Sequence, residues 1–358
     1  MMSRRFDKFL YQKKKSIGKR ILLFPLYLLS LPYGGAIRLR SLLYSLKLLR
    51  TKRLPCPVIS VGNITVGGTG KTPLVMAIAK GLMEKGTSIA ILSRGYKGTK
   101  TSEPIVSDGK DIFLSPEESG DEPFLMAKAC QGIPVLIGKN RVLNGRIALQ
   151  RFNVKGLLLD DGFQHLPLSR DINLLLIDSH IGFGDHTLLP RGILREPLSH
   201  LRRANLFLLT KVENLETCKP LEKEIHEIAP SVPVFHSHYE PVCLVGPQEE
   251  CEALHSLGGK KILALSGIAN ASYFSSLLRK CGMKIVREAI FPDHHLYTMK
   301  DLSFIKERGK EVDGIVTTEK DMVKLKELNL DSLPLRALRI DMKIWEEKEF
   351  YQRIMTIF

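Results

Sequence analysis

The chain of 358 residues has little of several things, and each shortage narrows what it can be. Its six cysteines (56, 130, 218, 243, 251, 281) include no C-x-x-C pair and no metal-ligand spacing with histidine, which leaves out zinc ribbons and thiol redox motifs. They read as reduced thiols in a reducing compartment. No low-complexity segment and no internal repeat is present, so a solenoid or other repeat architecture is excluded. Acidic residues are almost missing from residues 1–53, where 14 Lys/Arg face only Asp7, a net of +13 out of +15 for the whole chain. The remaining residues hold 39 basic and 37 acidic side chains. A nucleic-acid-binding body would spread its cations over a folded face, so this distribution argues against nucleic acid as a partner.

What residues 1–53 do hold is a basic start (Arg4, Arg5, Lys8, Lys13, Lys14, Lys15, Lys19, Arg20), then seventeen uncharged residues from Ile21 to Ile37. A second basic and apolar helical stretch follows, with Arg38, Arg40, Lys47, Arg50, Lys52 and Arg53 among leucines. Seventeen residues are the lower limit for a bilayer span, and Pro25, Pro32, Gly34 and Gly35 interrupt them. Three readings compete: a secretory signal, an amphipathic arm packed on the protein's own core, and an arm lying on a membrane with its cations on anionic headgroups. So local a charge imbalance favours the membrane-surface arm. Export is disfavoured because it would part the nucleotide loop described next from cytosolic nucleotide.

Residues 57–73, PVISVGNITVGGTGKTP, are the most informative stretch. A β-branched run (Val58, Ile59, Val61) breaks into a turn with Gly62, Gly67, Gly68 and Gly70. Lys71, Thr72, a proline suited to a first helical turn and an apolar-periodic segment (Leu74, Val75, Ile78, Ala79, Leu82) come next. Strand, glycine loop and helix are the context of a phosphate-binding loop. Residues without Cβ let backbone N–H groups converge on phosphate oxygens, Lys71 neutralises β/γ charge, and the Thr72 hydroxyl reaches Mg²⁺. Thr65, Gly67, Gly68, Thr69, Gly70, Lys71 and Thr72 are therefore the ATP-binding candidates. Thr65 stands where the usual motif has glycine, and the Gly67–Gly68 pair supplies the freedom instead.

From residue 54 onward, short apolar runs alternate with helical periodicity: 88–93, 134–138, 156–161, 172–178 and 206–210 read as strands, and 140–152 as a helix. A capped helix start is expected at 119–123. Continuous apolar runs suit a parallel sheet covered on both faces, so the expected fold is α/β, P-loop NTPase-like and doubly wound, with a mostly parallel sheet. Between 230 and 258 the periodicity weakens and prolines cluster. The expected division is a helical arm (1–53), a nucleotide-binding domain (54–230), a connection (231–258) and a smaller α/β lobe (259–358). Strands at 261–267, 284–286 and 314–318 and helices at 270–281 and 298–309 are expected in that lobe.

A phosphate loop needs a carboxylate for its metal, and Asp160 and Asp161, ending an apolar strand, are the metal candidates together with Thr72. Transfer to a hydroxyl also needs a base. Asp121 and Glu122, at a helix start, and His294 and His295 are candidates for it, and a helix-dipole role is the alternative for Asp121. Arg94, Arg191 and Arg195 lie in loops where a guanidinium can take a phosphate.

Taken together, 62–73, Leu92-Ser-Arg-Gly-Tyr96, Gly120-Asp-Glu-Pro123, Asp160-Asp-Gly-Phe-Gln-His165, 189–197, Phe291-Pro-Asp-His-His295 and Thr317-Thr-Glu-Lys-Asp321 resemble the tetraacyldisaccharide 4'-kinase family. The motifs run in family order over most of the chain, and Thr65 belongs to that family's version of the loop. Arg191 and Ile193 depart from it. The resemblance implies an enzyme peripheral to the cytoplasmic face of the bacterial inner membrane, in contact with its anionic lipids. It would move the γ-phosphate of ATP to the 4'-hydroxyl of the lipid A disaccharide precursor, a tetraacylated glucosamine disaccharide 1-phosphate, with Mg²⁺. It also implies Asp121 and His294 as catalytic residues, an Asp160–Asp161 pair like Walker B, and Glu122, His165, Glu196, Arg94 and Arg195 near the active site. Two rivals remain in view. One is a GTPase or nucleotide-driven chaperone, because Thr210-Lys-Val-Glu213 imitates a guanine-reading motif. The other is a membrane scaffold with a degenerate nucleotide site, against which the intact Lys71, Thr72 and carboxylates speak.

Overall fold

The structure is a computed structural model that describes residues 23–96, 98, 103–293, 295–328, 330 and 333–358. His294 and the basic start of the arm, residues 1–22, lie outside the described residues. In chain order the strands are β1 Val58–Gly62, β2 Ile89–Ser93, β3 Ile105–Ser107, β4 Val135–Ile137, β5 Gly156–Asp160, β6 Ile172–Asp178, β7 Leu206–Thr210, β8 Val234–Val245, β9 Cys251–Glu252, β10 Lys261–Ser266, β11 Lys284–Ile290, β12 Gly314–Thr318 and β13 Leu335–Ile344. The helices are α1 Phe24–Ser45, α2 Lys71–Glu84, α3 Pro116–Ser119, α4 Asp121–Ala129, α5 Arg141–Phe152, α6 Lys219–Ile228, α7 Ala271–Lys280, α8 Met299–Arg308, α9 Glu319–Leu325 and α10 Glu347–Met355.

The described strands form one sheet in the order β11-β10-β12-β13-β8-β7-β6-β1-β5-β2-β4-β3, with β9 beside β8. β1, β2, β5, β6 and β7 are buried along their whole length, which is why each is an unbroken apolar run and not an alternating one. Two parallel runs meet where β8 pairs parallel with β7 and antiparallel with β13. β1 sits between β5 and β6. The register Val61↔Asp160 brings the end of β1, where the glycine loop begins, level with the aspartate pair. α2 covers this junction with Leu74, Val75, Ile78, Ala79 and Leu82, all fully buried.

Several expectations are corrected. Residues 231–258, read as a connection, carry a twelve-residue strand, β8, that binds the two parallel runs together. Glu240 and Pro241, which interrupt its apolar pattern, are among its less covered positions, and Pro230, Pro233 and Pro247 flank it. The capping box lies one turn earlier than expected: Ser115 accepts from Glu118 N and Glu118 reaches back, whereas α4 starts at Gly120 without a side-chain cap. Cys243 and Cys251 are joined in a disulfide, because the β8–β9 hairpin brings their Cα atoms to 6.1 Å. A spacing of eight residues carries no such signal, while Cys56, Cys130, Cys218 and Cys281 are free thiols.

The two expected helical stretches of the arm are one helix, α1, with Pro32 inside it. Its buried residues are Ser30 and Gly34, while Phe24, Tyr27, Leu28, Leu29, Leu31, Leu39 and Leu42 are exposed. Among the described residues no helix is long and apolar enough to cross a membrane.

Candidate active site

The glycine loop leads into α2 through Gly70, whose φ of 91° is left-handed. A Cβ there would lie 2.0 Å from the Tyr239 hydroxyl, so both the backbone and the space require glycine. Lys71 Nζ donates to Asn63 Oδ1 at 3.2 Å and stands 3.5 Å from Asp161 Oδ1. Arg195 donates to both Asp161 oxygens, at 2.9 and 3.2 Å, and to Asn63 Oδ1 at 3.1 Å. Asn63 itself donates to Thr69 Oγ1 at 3.0 Å, tying the two ends of the loop. From below, Lys211 donates to Gly68 O at 2.9 Å and pairs with Asp178, and Thr210 Oγ1 donates to Thr69 O at 2.9 Å. The segment that imitates a guanine-reading motif is thus the floor of the phosphate loop, and its Glu213 is held by Lys280 at 2.6 Å.

The two adjacent aspartates are pushed in opposite directions. Asp160 is 3% exposed; Ser93 Oγ donates to its Oδ2 at 2.8 Å, and its Oδ1 has no hydrogen-bond partner. Burial, then the charges of Glu122 and Asp161, raise its carboxyl to about 7. Burial also acts upward on Asp161, but Lys71 and Arg195 outweigh it and hold that carboxyl at about 2. A buried carboxylate with one bare oxygen, beside the helix that begins with Lys71 and Thr72, suits a hard divalent cation. Such an ion would satisfy the oxygen and reverse the raised pKa. Among the described residues no group of three His, Cys, Asp or Glu is placed to hold a metal. Mg²⁺ bound mainly through phosphates and one or two carboxylates needs no such cage.

The acceptor-side candidates converge from three distant segments. Asp121 and Glu122 open α4, and they meet α9 at Asp121–Lys324 (2.9 Å) and Glu122–Lys320 (3.0 Å). Lys320 also stands 3.6 Å from Asp293, and Lys324 donates to His295 O at 3.2 Å. These contacts bring Asp293 and His295 to the same α9 lysines that hold Asp121 and Glu122. His295 points elsewhere: its ring stacks on Phe291 with centroids 4.7 Å apart and pairs with Asp301 at 3.1 Å, inside the cap of α8. α4, which carries Asp121 and Glu122, packs against α2, which carries Lys71 and Thr72, and the charge of Glu122 acts on Asp160.

Other candidates divide. His165 lies in the turn after Asp161 with Nε2 unpartnered, and burial, then Arg141, Arg170, Arg40 and Arg94, push its pKa down to about 4. Glu196 is buried, but its carboxylate takes His200 Nδ1 at 2.6 Å and Arg203, so it anchors the 3-10 turn Leu198–Arg203 rather than facing the loop. Arg191 pairs with Asp185 at 3.1 Å, and Arg94 is exposed. Sequence reasoning missed Asn63, Ser93, Asp178, Lys320 and Lys324. Of these, Lys320 and Lys324 carried a signal, being one helical turn apart after an apolar strand.

Strand, glycine loop, Lys-Thr helix start and a carboxylate pair ending the neighbouring strand define a P-loop NTPase-like α/β protein. The chain belongs to the LpxK family, tetraacyldisaccharide-1-P 4'-kinase, which is matched over residues 22–358. It is 42% identical to the tetraacyldisaccharide 4'-kinase of Syntrophus aciditrophicus over 92% of this chain and 91% of that one. Against the enzyme of the same name from Desulfatibacillum aliphaticivorans the identity is 39%, over 91% and 90% of the two chains. A crystal structure of LpxK from Aquifex aeolicus in complex with ATP is similar with a TM-score of 0.74 and 34% identity, covering 95% of this chain and 99% of that one.

Proposed function

We propose that this protein transfers the γ-phosphate of ATP to the 4'-hydroxyl of a tetraacylated glucosamine disaccharide 1-phosphate. The observation that carries this reading is the junction of two groups of residues: the phosphate loop with Asp160 and Asp161, and the Asp121–Glu122 helix start, brought together by the packing of α4 on α2.

Backbone N–H groups of residues 67–72 and the Lys71 ammonium hold the triphosphate. Lys71 and Arg195 now rest on Asp161 and Asn63, within reach of phosphate oxygens that carry more charge. Thr72, Asp160 and Asp161 would hold Mg²⁺, which would supply charge neutralisation at the phosphates. Asp121, paired with Lys324, and His294 take the proton of the acceptor hydroxyl as its oxygen bonds to the γ-phosphorus and the β,γ-bridging oxygen leaves with ADP. The division of labour follows the chain: residues 54–230 bind nucleotide, and the lobe from 259 supplies the α9 lysines that position the acceptor side. The leucine-rich outer face of α1 rests on the cytoplasmic face of the inner membrane, where an acylated acceptor is presented.

The test is transfer of labelled phosphate from ATP to the detergent-solubilised acceptor with Mg²⁺. Wild type should transfer and Lys71→Ala should not. Asp121→Ala should lose about 10²- to 10⁴-fold in kcat while keeping its ATP affinity. Well-folded wild type that binds ATP and transfers nothing would overturn the reading; wild-type turnover in Asp121→Ala would overturn the base.

A further inference from the structure

The motif Thr317-Thr-Glu-Lys-Asp321 supplies Lys320 to the acceptor side, but its last residue points away from that side chain's partners. Asp321 is fully buried, in the first turn of α9. Its Oδ2 accepts from Gly267 N at 2.9 Å and from Thr318 Oγ1 at 2.7 Å, while its Oδ1 has no hydrogen-bond partner. The lysines of the same helix are engaged by other acids, Lys320 by Glu122 and Lys324 by Asp121. Helix capping does not account for the residue either. Thr318 Oγ1 accepts from Asp321 N at 3.1 Å, so another side chain caps the start of α9. A buried carboxyl with one bare oxygen is less favourable there than an apolar side chain of similar volume. What Asp321 alone supplies is an acceptor for Gly267 N.

Gly267 stands where two loops meet. It opens the connection from β10 to α7, and Ala269 in that connection lies 3.5 Å from where a Cβ on Gly68 of the phosphate loop would be. On its other side runs the segment that carries His294. Phe291 N donates to Ser266 O at 2.7 Å. A Cβ on Gly267 would meet Asp321 Oδ1 at 2.8 Å, Tyr297 Oη at 3.0 Å and Pro292 O at 3.3 Å. Tyr297 in turn packs edge-on against Phe291 and His295, each with ring centroids 5.1 Å away. One buried carboxyl therefore joins α9, the connection that touches the phosphate loop and the segment on the acceptor side.

We propose that Asp321 is a positioning residue for phosphoryl transfer, which sets the separation of the phosphate loop from the 291–297 segment through Gly267. The inference rests on the acceptor reading above and deepens it. Asp321 acts through its neighbours, being sealed from both substrates. Transfer between two bound groups is steeply sensitive to their placement, and an error of about 1 Å can cost about 10²-fold in rate. Binding of ATP is far less sensitive here, because Ala269 presents only a methyl group to Gly68. Loss of the Gly267 contact should therefore appear in kcat and not in affinity for ATP.

The experiment measures kcat per ATP-binding site and KM for ATP, with the disaccharide 1-phosphate as acceptor, for wild type, Asp321→Ala, Asp321→Asn, Gly267→Ala and the double alanine variant. Asp321→Ala should lower kcat per ATP-binding site about tenfold to 10²-fold, with KM for ATP within about threefold of wild type. Asp321→Asn keeps an oxygen for Gly267 N and should recover most of that loss. Counting by ATP-binding sites removes any unfolded share, so a role in stability alone would leave the value at wild type and overturn the proposal. An asparagine variant as slow as the alanine one would overturn it too. Should Asp321→Ala fail to fold, Gly267→Ala still decides. Its methyl group presses on the carboxyl without removing a polar group, and it should slow transfer severalfold; a wild-type rate would overturn the proposal. In the double variant the space left by the carboxyl takes the methyl group, so the loss should be smaller than the product of the single losses. Fully multiplicative losses would mean that the two residues act separately, against the proposal. Wild type that binds ATP and transfers nothing would fault the acceptor reading, and this role with it. Variants that match an active wild type would fault this role alone.

Discussion

Asp160 and Asp161 are neighbours in sequence whose acidities are pushed in opposite directions, Asp160 upward by burial and Asp161 downward by Lys71 and Arg195, which outweigh its burial, because a strand ends between them. Asp160 is the last residue of β5 and points into the sheet's covering layer; Asp161 turns with φ 50° toward Lys71 and Arg195. The same logic, at smaller scale, separates Glu117 and Glu327. Burial, then the hydrogen bond to Glu117, raises Glu327 from 4.5 to about 7, while Glu117 is lowered by that bond and by Ser115. The shared proton binds more tightly in the fold than in the unfolded chain, so the stability it contributes is complete below about pH 4.5 and lost as pH rises through 7. Both side chains are exposed, so solvent screening keeps the effect small; in thermal melts the stability difference between wild type and Glu327→Gln should shift against wild type as pH rises from about 5 to 7.5. Parallel profiles would exclude the shared proton. Neither carboxylate could be assigned this role from sequence, since residues 117 and 327 meet only through the packing of α4 on α9.

At the scale of elements, α2 serves two masters. Its first turn presents Lys71 and Thr72, and its last turns are packed by the C-terminal α10. Tyr351 of α10 donates its hydroxyl to Ala77 O at 3.0 Å. A Cβ on Gly81 would stand 2.2 Å from that hydroxyl and 2.4 Å from Cζ. Gly81→Ala should displace the ring, break the hydrogen bond and destabilise the protein by about 1–3 kcal/mol, the usual cost of overpacking. Urea unfolding measures the loss, and ATP affinity should stay near wild type because Gly81 lies two to three turns from the loop. An unchanged midpoint would mean α10 can shift freely. α2 and β5 were legible as elements because each shows one uninterrupted pattern, helical apolar periodicity in α2 and a continuous apolar run in β5. β8 was not, since Glu240 and Pro241 interrupt its apolar run and its partner β13 lies about a hundred residues away.

For the whole molecule, the placement of charge and apolar surface is the leading fact. α1 packs inward through Ser30 and Gly34, with Tyr33 donating to Arg195 O at 2.9 Å, and turns its leucines outward. A helix whose small residues face the body and whose large ones face solvent, in an arm of net +13, supports the membrane-surface reading proposed above. Replacing Leu28, Leu29 and Leu31 together by serine should release the protein from anionic liposomes in co-sedimentation while it stays folded. Retention equal to wild type would sink the membrane-surface reading.

The sequence by itself determined the phosphate loop, the aspartate pair and the alternation of strand and helix, because each depends on residues within one turn or one strand of each other. It also determined where the net charge lies. Only the tertiary structure decided that Lys320 and Lys324 hold Glu122 and Asp121, that Lys211 underlies Gly68, that Cys243 meets Cys251, and that Arg40, Arg170 and Arg203 meet on the turn 162–165. The physical reason is the same in each case: such pairings are set by sheet order and helix packing, which bring together residues whose separation in the chain carries no local signal.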